Sequence, residues 1–344
     1  MCKVSRRSAF RACPTFGSRT DQPLARPAGG MTAVILRSLA GAVPILLIVS
    51  LITFAMIHLI PGDPASAIAG VSATPQQLIQ LRHDLGLDEP LLQQLWHWYG
   101  GLLNGDLGRS LLMGQPVLQV MLFRLPITLA LALYALLITL VLGLLSGLFA
   151  ALRHNSWVDT AAMVFAMFGI SLPNFWLGLL MIILFAVWLG WLPTGGYVPF
   201  SESPLGWLRT STMPAFSLAL LQVGLLARIT RSSMLEVLRQ DYIRTARAKG
   251  LPRRLVVVKH ALANALIPIV TVVGIIVSLS ISGSVVTETL FSIPGTGQLL
   301  TQAVLNRDYP LVQGGLLMVT ALLVLVNVMV DVGYALIDPR LRHG

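Results

Sequence analysis

The residues of this chain that could take part in binding or chemistry gather in one basic stretch, residues 241–260. Six Lys or Arg lie within it, with small residues between them. Asp241 is a candidate N-cap, and Gly250 followed by Pro252 is a helix stop signal, so the stretch predicts a short helix. The candidate site residues within it are Tyr242, Arg244, Thr245, Ala246, Ala248 and Gly250.

The small residues of this helix predict that it fits closely against another protein. Ala246 and Gly250 are four residues apart and therefore share a face, where they would allow a groove to approach the backbone. A simpler interpretation also accounts for the charge, because basic loops orient membrane proteins and meet anionic lipid. That interpretation leaves the small-residue spacing before the glycine unexplained.

Residue type and spacing argue against several kinds of catalytic site. A P-loop needs a Lys followed by Ser or Thr, whereas Lys3, Lys249 and Lys259 precede Val, Gly and His. No two of the six His are four residues apart, so there is no HExxH zinc motif. Cys2 and Cys13 give no basis for a disulfide framework or a cysteine metal site. We therefore expect no enzyme, and no metal or cofactor bound by this chain.

Membrane helices must position the basic stretch. Of the 344 residues, 55% are hydrophobic and only 11% are charged, whereas soluble domains carry about 25% charged residues. A spanning helix needs roughly 20 apolar residues. Six stretches of about that length or longer lack Asp, Glu, Lys and Arg: residues 38–60, 127–152, 160–192, 210–227, 261–287 and 309–330. The predicted fold class is an all-α membrane protein with six transmembrane helices.

The distribution of positive charge orients these helices. With six spans and an inner N-terminus, the inner segments hold 19 of the 24 Lys and Arg, and the outer segments hold 5. Because cytoplasmic loops accumulate Lys and Arg, both termini and residues 241–260 are predicted to lie in the cytosol. Seven spans would instead place the nine basic residues of the loop 228–260 outside.

The third apolar stretch holds a second group of candidate residues, Ser171, Pro173 and Asn174. Proline disfavours a helical conformation at the preceding Leu172, so a break is predicted there. Irregular backbone at membrane depth is tolerated where it lines a water-filled cavity, which makes these residues candidates for a transport pathway. A kink that serves only packing is the other interpretation. The stretch could form one kinked span, an interfacial helix with a span, or two spans.

Residues 61–119 are predicted to form an ordered helical loop on the outer side. The segment 74–77 is a capping box, and the segment 88–90 starts a second helix. These helices either cap the membrane domain or offer a docking surface to an external protein. Residues 1–30 are basic, polar and rich in Pro and Gly. We interpret them as a disordered tail. Alternatively, the start codon is wrongly assigned and translation begins at Met31.

The basic stretch resembles the EAA loop of binding-protein-dependent ABC importer permeases. Arg244-Thr245-Ala246 stands at the Glu-Ala-Ala position, and its first two residues depart from the general consensus as in the dipeptide, oligopeptide and nickel branch. Further similar strings extend the resemblance from about Met31 to the end: LIPGDP, LGLDEPLLQQ, GDLGRS, SLPNFWLG, NALIP, ETLFSIPGTG, NRDYP and DPRLR. Their order is similar to that in the first permease subunit of a peptide importer.

The resemblance implies a type I ABC importer permease fold. Its parts would be a transmembrane helix at 31–60, a permease core at 120–335 and a cytoplasmic end at 336–344. Within the core, residues 241–260 would carry the coupling helix that fits a groove of a separate ATPase. The implied partners are a second permease, two ATP-binding subunits that hold the ATP, an external solute-binding protein and the bilayer, but no nucleic acid. The implied location is the bacterial inner membrane.

The substrate and the energy source have alternatives at this stage. The resemblance covers importers of dipeptides, oligopeptides, glutathione and nickel. We favour short peptides, with glutathione next and nickel third. Nickel is disfavoured because the apolar stretches lack the His or carboxylate cluster that would hold a metal. An ion-coupled secondary transporter is a different class. It is disfavoured because such proteins place charged groups at mid-membrane, and the six stretches carry no Asp, Glu, Lys or Arg.

Overall fold

The computed structural model describes residues 31–59, 74–84 and 88–337, which form eleven helices. The helices are α1 (Met31–Leu59), α2 (Pro75–Asp84), α3 (Leu91–Leu103), α4 (Val117–Leu152), α5 (Trp157–Ser171), α6 (Asn174–Trp188), α7 (Pro204–Leu238), α8 (Asp241–Ala248), α9 (Arg253–Leu290), α10 (Thr296–Leu305) and α11 (Tyr309–Ile337). Each of α6 and α9 contains one π-helical segment, Ile182–Trp188 and Val256–Leu262.

Three of the sequence-based expectations concern residues that the structure does not describe. They are the predicted tail at 1–30, the part of the LIPGDP string at 60–64, and the DPRLR string at 338–342. These expectations stay predictions.

Six membrane crossings can be assigned among the described helices. Five of them, α1, α4, α7, α9 and α11, are each long and apolar enough to span a membrane. The pair α5 and α6 meets the same criterion only when taken together, and its two helices are bent by 104° at a short break. Counted as one span, the pair brings the total to six, in agreement with the predicted fold class.

The directions of neighbouring helices show that the bent pair crosses only once. α4 and α7 run parallel, because Tyr134 stacks near Trp207 at the start of α7, while Gly147 contacts Thr230 towards its end. Parallel helices must be separated along the chain by an odd number of crossings. α5 and α6 therefore make one crossing, and the alternative of two spans in the third apolar stretch is wrong.

The start of α1, the end of α11 and the connection between α7 and α9 lie on one side of the bundle. Ser38 Oγ donates to Asp331 Oδ2 at 2.7 Å, while Gln313 Nε2 donates to the Thr53 carbonyl at 3.1 Å, so α1 and α11 are antiparallel. α7, α9 and α11 are consecutive spans, so α7 and α11 end on the same side. This is called the inner side below, and the opposite one the outer side.

Glycines bring α4, α5 and α7 into close contact. A methyl group at Gly147 of α4 would lie 2.5 Å from the Ala227 carbonyl oxygen, and one at Gly169 of α5 would lie 2.7 Å from that of Leu220. Small residues let membrane helices approach closely, and the resulting van der Waals packing holds them together. α7 is thus the central helix of the bundle, and it leads directly into the basic stretch.

On the outer side, the described part of the loop contains the helices α2 and α3, and α3 contacts α1. The predicted capping box at the start of α2 is confirmed: the Gln77 amide donates to Thr74 Oγ1 (3.4 Å) and the Thr74 amide to Gln77 Oε1 (2.9 Å). The Tyr99 hydroxyl of α3 is 2.6 Å from Ser50 Oγ of α1. Trp96, also in α3, is 79% exposed. α3 therefore contacts α1 through Tyr99, and a docking role for its exposed residues stays a prediction.

Candidate functional site

The basic stretch forms α8, the turn that follows it and the first residues of α9. Asp241 is already the first helical residue of α8 and its side chain caps no amide, so the predicted N-cap role of Asp241 is wrong. The predicted stop is confirmed as a Schellman motif. The Gly250 amide donates to the Arg247 carbonyl (3.0 Å), and the Leu251 amide donates to that of Ala246 (3.4 Å). Gly250 has φ +76°, which glycine adopts without strain.

One face of α8 is buried against the membrane domain. Ile243 is fully buried and Ala246 is 8% exposed. Both belong to a cluster that includes Met234 of α7 and Val256 and Ala261 of α9. Ile243 is the only aliphatic residue of α8 larger than alanine. Its burial orients the helix so that Ala246, three residues further along, also faces the membrane domain. The expectation that Ala246 faces a partner's groove is therefore wrong, because the spacing identifies a face but not its direction.

The opposite face of α8 is accessible. The exposed candidate residues are Tyr242, Arg244, Thr245, Ala248 and Gly250. Three of them recur at three-residue spacing along the helix, and we call these, Tyr242, Thr245 and Ala248, the exposed ridge. The ion pair between Asp241 and Arg244 (3.5 Å) is solvent-exposed and contributes little to stability. The structure thus presents a short helix with a buried face and a face open to a partner.

A buried ion pair close to α8 was not predicted from the sequence. Asp159, 4% exposed in the first turn of α5, accepts hydrogen bonds from Nε (2.5 Å) and Nη2 (2.8 Å) of Arg231 in α7. The Asn155 amide and Nδ1 of His154 each lie 3.1 Å from its Oδ2. A bidentate pair fixes distance and orientation, so it ties α5 to α7 near the inner end. The available signal was Ser156 three residues before Asp159, which is an N-cap pattern.

The predicted break in the third apolar stretch is present. Leu172 is extended, with φ −93° and ψ 129°, and Pro173 is the N-cap residue of α6. Ser171 and Pro173 are exposed, and Asn174 is half-buried. Asn174 lies beside α9, since a methyl group at Gly283 would be 3.9 Å from its Nδ2. The structure confirms the break itself, and the assignment of these residues to a pathway stays a prediction.

α9 carries a stripe of neutral polar residues that the sequence reasoning missed. Its members are Asn264, Thr271, Ser278, Ser282 and Thr289. Their spacings of seven, seven, four and seven residues place them within about 40° around the helix axis. Ser278 is half-buried and donates to Asn327 Oδ1 of α11 at 2.7 Å, whereas the other four members are exposed. Polar groups on membrane helices commonly contact another helix or a water-filled cavity rather than lipid.

Two acidic residues organise the connections on the outer side. Asp308, fully buried before α11, accepts from the Ser110 hydroxyl (2.5 Å) and the Leu111 amide (3.1 Å). Glu288, also fully buried, accepts from the Gly297 amide at the start of α10 (2.8 Å). A carboxylate can accept hydrogen bonds from backbone amides at a helix start that have no partner within their own helix. The GDLGRS and NRDYP strings therefore meet in one contact that closes the outer end of the bundle.

Metal-binding geometry is not found in the part of the chain that the structure describes. No group of three or more His, Cys, Asp and Glu within those residues could hold a metal ion.

Comparison with known proteins gives the family. The model described as binding-protein-dependent transport system inner membrane component matches residues 143–343, and the corresponding N-terminal model matches residues 31–132. A putative peptide transport system permease protein of Brucella abortus (strain 2308) is 52% identical over 313 residues, 91% of this chain and 100% of the relative.

Two further relatives have related names. The di/tripeptide transport system permease protein of Pseudomonas aeruginosa (strain UCBPP-PA14) is 43% identical over 334 residues, 91% of this chain and 99% of the relative. The glutathione transport system permease protein of Escherichia coli O6:H1 is 40% identical over 313 residues, 91% of this chain and 100% of the relative.

The fold agrees with this family. The solved structure of an inward-facing methionine ABC transporter superposes with a TM-score of 0.52 at 19% identity, over 66% of this chain and 100% of that chain. The predicted ABC importer permease fold is therefore confirmed. With family models matched over most of its length, this chain belongs to the family of binding-protein-dependent transport system inner membrane components, the permeases of ABC importers.

Proposed function

We propose that this chain forms half of the translocation pathway of an ATP-driven importer of short peptides. The observation that carries its coupling role is α8, which has one face anchored in the membrane domain and another accessible to a partner. A helix that transmits movement needs both features. The peptide class is supported by relatives named for peptide, di/tripeptide and glutathione transport. The ligand bound by the cognate solute-binding protein tests this class, and a nickel chelate with no peptide would contradict it.

The proposed assembly contains five further components. A second homologous permease completes the pathway, two ATP-binding subunits bind and hydrolyse the ATP, and an external solute-binding protein delivers the substrate. The bilayer is the remaining component. The sequence supports the placement of ATP on separate subunits, because none of the three Lys precedes a Ser or Thr. We place the inner side, with both termini and α8, in the cytosol of a bacterium on the distribution of Lys and Arg.

Movement of α8 would reach the spans through its buried face. In the proposed cycle, ATP-driven closure of the two ATPase subunits draws the two coupling helices together and opens the membrane cavity outward. Hydrolysis returns the cavity to the inward-facing state. Ile243 and Ala246 pack with Met234 of α7 and Val256 of α9, so a displacement of α8 moves two spans directly. The Asp159 carboxylate, held by Arg231 of α7, then couples α5 to the same movement.

A substitution on the exposed ridge tests the coupling role. Ala248→Glu places a carboxylate where α8 would meet the ATPase groove. An unpaired charge in a desolvated contact costs roughly 1–3 kcal/mol, and about 1.4 kcal/mol corresponds to tenfold in a binding constant. We expect ATPase copurification with the tagged permease to fall at least several-fold and uptake to be lost. Membrane levels of the variant should be normal, because Ala248 is exposed.

The matched control for this experiment is Arg254→Gln, at an exposed position in the first turn of α9; this variant should bind the ATPase normally. Ala246→Glu is unsuitable, because Ala246 is buried in the chain's own core. Normal ATPase binding and uptake with Ala248→Glu would refute the coupling role. The basic loop would then be explained by membrane orientation and lipid contact alone.

We further propose that the substrate passes the break between α5 and α6. The accessibility of Ser171 and Pro173, and the position of Asn174 beside α9, support this assignment. Ser282 of the α9 stripe is adjacent in sequence to Gly283, the residue that Asn174 approaches. Neutral amides and hydroxyls can exchange hydrogen bonds with a peptide backbone without holding it tightly, as passage requires.

A further inference from the structure

A cavity of about 480 Å³ lies on the inner side between α8 and the ends of three membrane helices. Leu152 at the end of α4 and Val256 and Val257 of α9 form part of its apolar lining. Arg247 of α8 and Arg253 of α9 also line it. Its volume falls within the range of about 300–1,000 Å³ that is typical of small-molecule sites.

The cavity combines two guanidinium groups with an apolar lining. No acidic residue lines it among the residues that the structure describes. Nη2 of Arg253 lies 3.5 Å from the carbonyl oxygen of Leu152, which places this guanidinium beside the inner end of α4. The planar guanidinium fork matches the geometry of phosphate oxygens. Basic pockets between membrane helices on the cytoplasmic side are suited to phospholipid head groups.

We propose that this cavity binds the phosphate of an anionic phospholipid from the inner leaflet. The guanidinium groups of Arg247 and Arg253 contact the phosphate oxygens, and the glycerol backbone packs against Val256 and Val257. A lipid fits better than a soluble anion, because apolar side chains from the inner ends of three membrane-spanning helices line the cavity beside the two arginines.

A lipid bound in this cavity joins three elements. Arg247 belongs to α8, Arg253 opens α9, and Leu152 closes α4. The lipid therefore stiffens the connection between α8 and the spans. The inference goes beyond the proposed function, because lipid binding needs no nucleotide and its test can fail while the coupling role holds.

Native mass spectrometry of the full-length chain, purified with its partner subunits, tests the site. The protein is equilibrated with equal amounts of phosphatidylglycerol and phosphatidylcholine, and the lipids retained after detergent exchange are counted. We expect phosphatidylglycerol to be retained preferentially. The double variant Arg247→Gln, Arg253→Gln should lose at least about tenfold in this retention, because it removes both charge-assisted contacts.

Two further double variants make the comparison specific. Arg239→Gln with Arg254→Gln removes the same charge from exposed positions of the same loop that do not line the cavity, and it should retain the lipid. Arg247→Lys with Arg253→Lys keeps the charge and should retain more lipid than the glutamine pair. All these arginines are exposed, so wild-type elution in size-exclusion chromatography is expected for every variant.

Four results would overturn the proposal. Equal loss of phosphatidylglycerol in the two glutamine pairs would show a non-specific charge effect. Equal retention of both lipids by the wild-type protein would show that the cavity does not select for anionic lipid. Complete displacement of phosphatidylglycerol by inorganic phosphate would assign the cavity to a soluble anion. The fourth result concerns ATPase copurification in lipid-free detergent. If only the Arg247→Gln, Arg253→Gln variant lost it, the two arginines would be assigned to a protein partner.

Discussion

Two aspartate–arginine pairs of this chain differ because one is buried and one is exposed. Asp159 is almost fully buried and Arg231 is 25% exposed, whereas the side chains of Asp241 and Arg244 are 94% and 76% exposed. An exposed pair contributes about 0–1 kcal/mol. Removal of one member of a buried pair leaves a charge without compensation, which costs about 3–5 kcal/mol.

Asp159→Asn is therefore expected to lower the free energy of unfolding by about 2 kcal/mol, less than for a fully buried pair because Arg231 is partly exposed. Asp241→Asn makes the same change of charge at an exposed site and should alter the free energy by no more than about 0.5 kcal/mol. Chemical denaturation of the purified variants in one detergent measures both effects. Equal stabilities would contradict the structural importance assigned to the buried pair.

At this scale the sequence identified the residues of α8 but not the side to which each points. Gly250 was predictable as the helix stop, because its requirement for a positive φ is local. The inward position of Ala246 was not, since it depends on Ile243 meeting Met234 and Val256, which come from two spans that flank α8 in the chain. Contacts between elements decide orientation, and a spacing pattern contains no information about them.

Local signals also explain which elements were predictable. The break at Leu172 follows from its proline neighbour, and the capping box at Thr74 follows from four adjacent residues. The α9 stripe was missed because its members are spread over 26 residues of an apolar run, from Asn264 to Thr289. The α5–α7 ion pair was missed because its partners are 72 residues apart. Long-range pairing is therefore what the sequence left undetermined.

If the substrate passes along the α9 stripe and the break between α5 and α6, residues of the stripe should be more accessible to water than residues on the apolar surface of α5. In a background without Cys2 and Cys13, Ser282→Cys should react with a small water-soluble thiol reagent during uptake, because only an ionised thiol reacts and ionisation requires a polar environment. Val164→Cys, 61% exposed in α5 on an apolar surface, should react at least about tenfold more slowly. Mass spectrometry measures the labelling rate of each variant. If Ser282→Cys reacted no faster than Val164→Cys, the proposed passage would be contradicted.

For the whole molecule, composition was enough to predict the membrane class. Periodicity cannot distinguish one bent span from two spans, because both are long apolar runs, and it was the distribution of Lys and Arg that favoured six crossings over seven. The parallel packing of α4 and α7, seen at Tyr134 with Trp207 and at Gly147 with Thr230, agrees with that count. Charge then decides the orientation, since the structure itself shows which ends share a side but not which compartment they face.

The complete topology predicts opposite reactivity for two exposed positions. Lys249 follows α8 on the inner side, and Asn306 follows α10 on the outer side. In a background without Cys2 and Cys13, a membrane-impermeant maleimide added to spheroplasts should label Asn306→Cys and leave Lys249→Cys unlabelled. Inverted membrane vesicles should give the reverse, because the inner segments hold 19 of the 24 Lys and Arg. The reverse pattern in spheroplasts would refute the proposed cytosolic location of α8, and labelling of both positions from one side would refute the crossing of α9, the only described span between them.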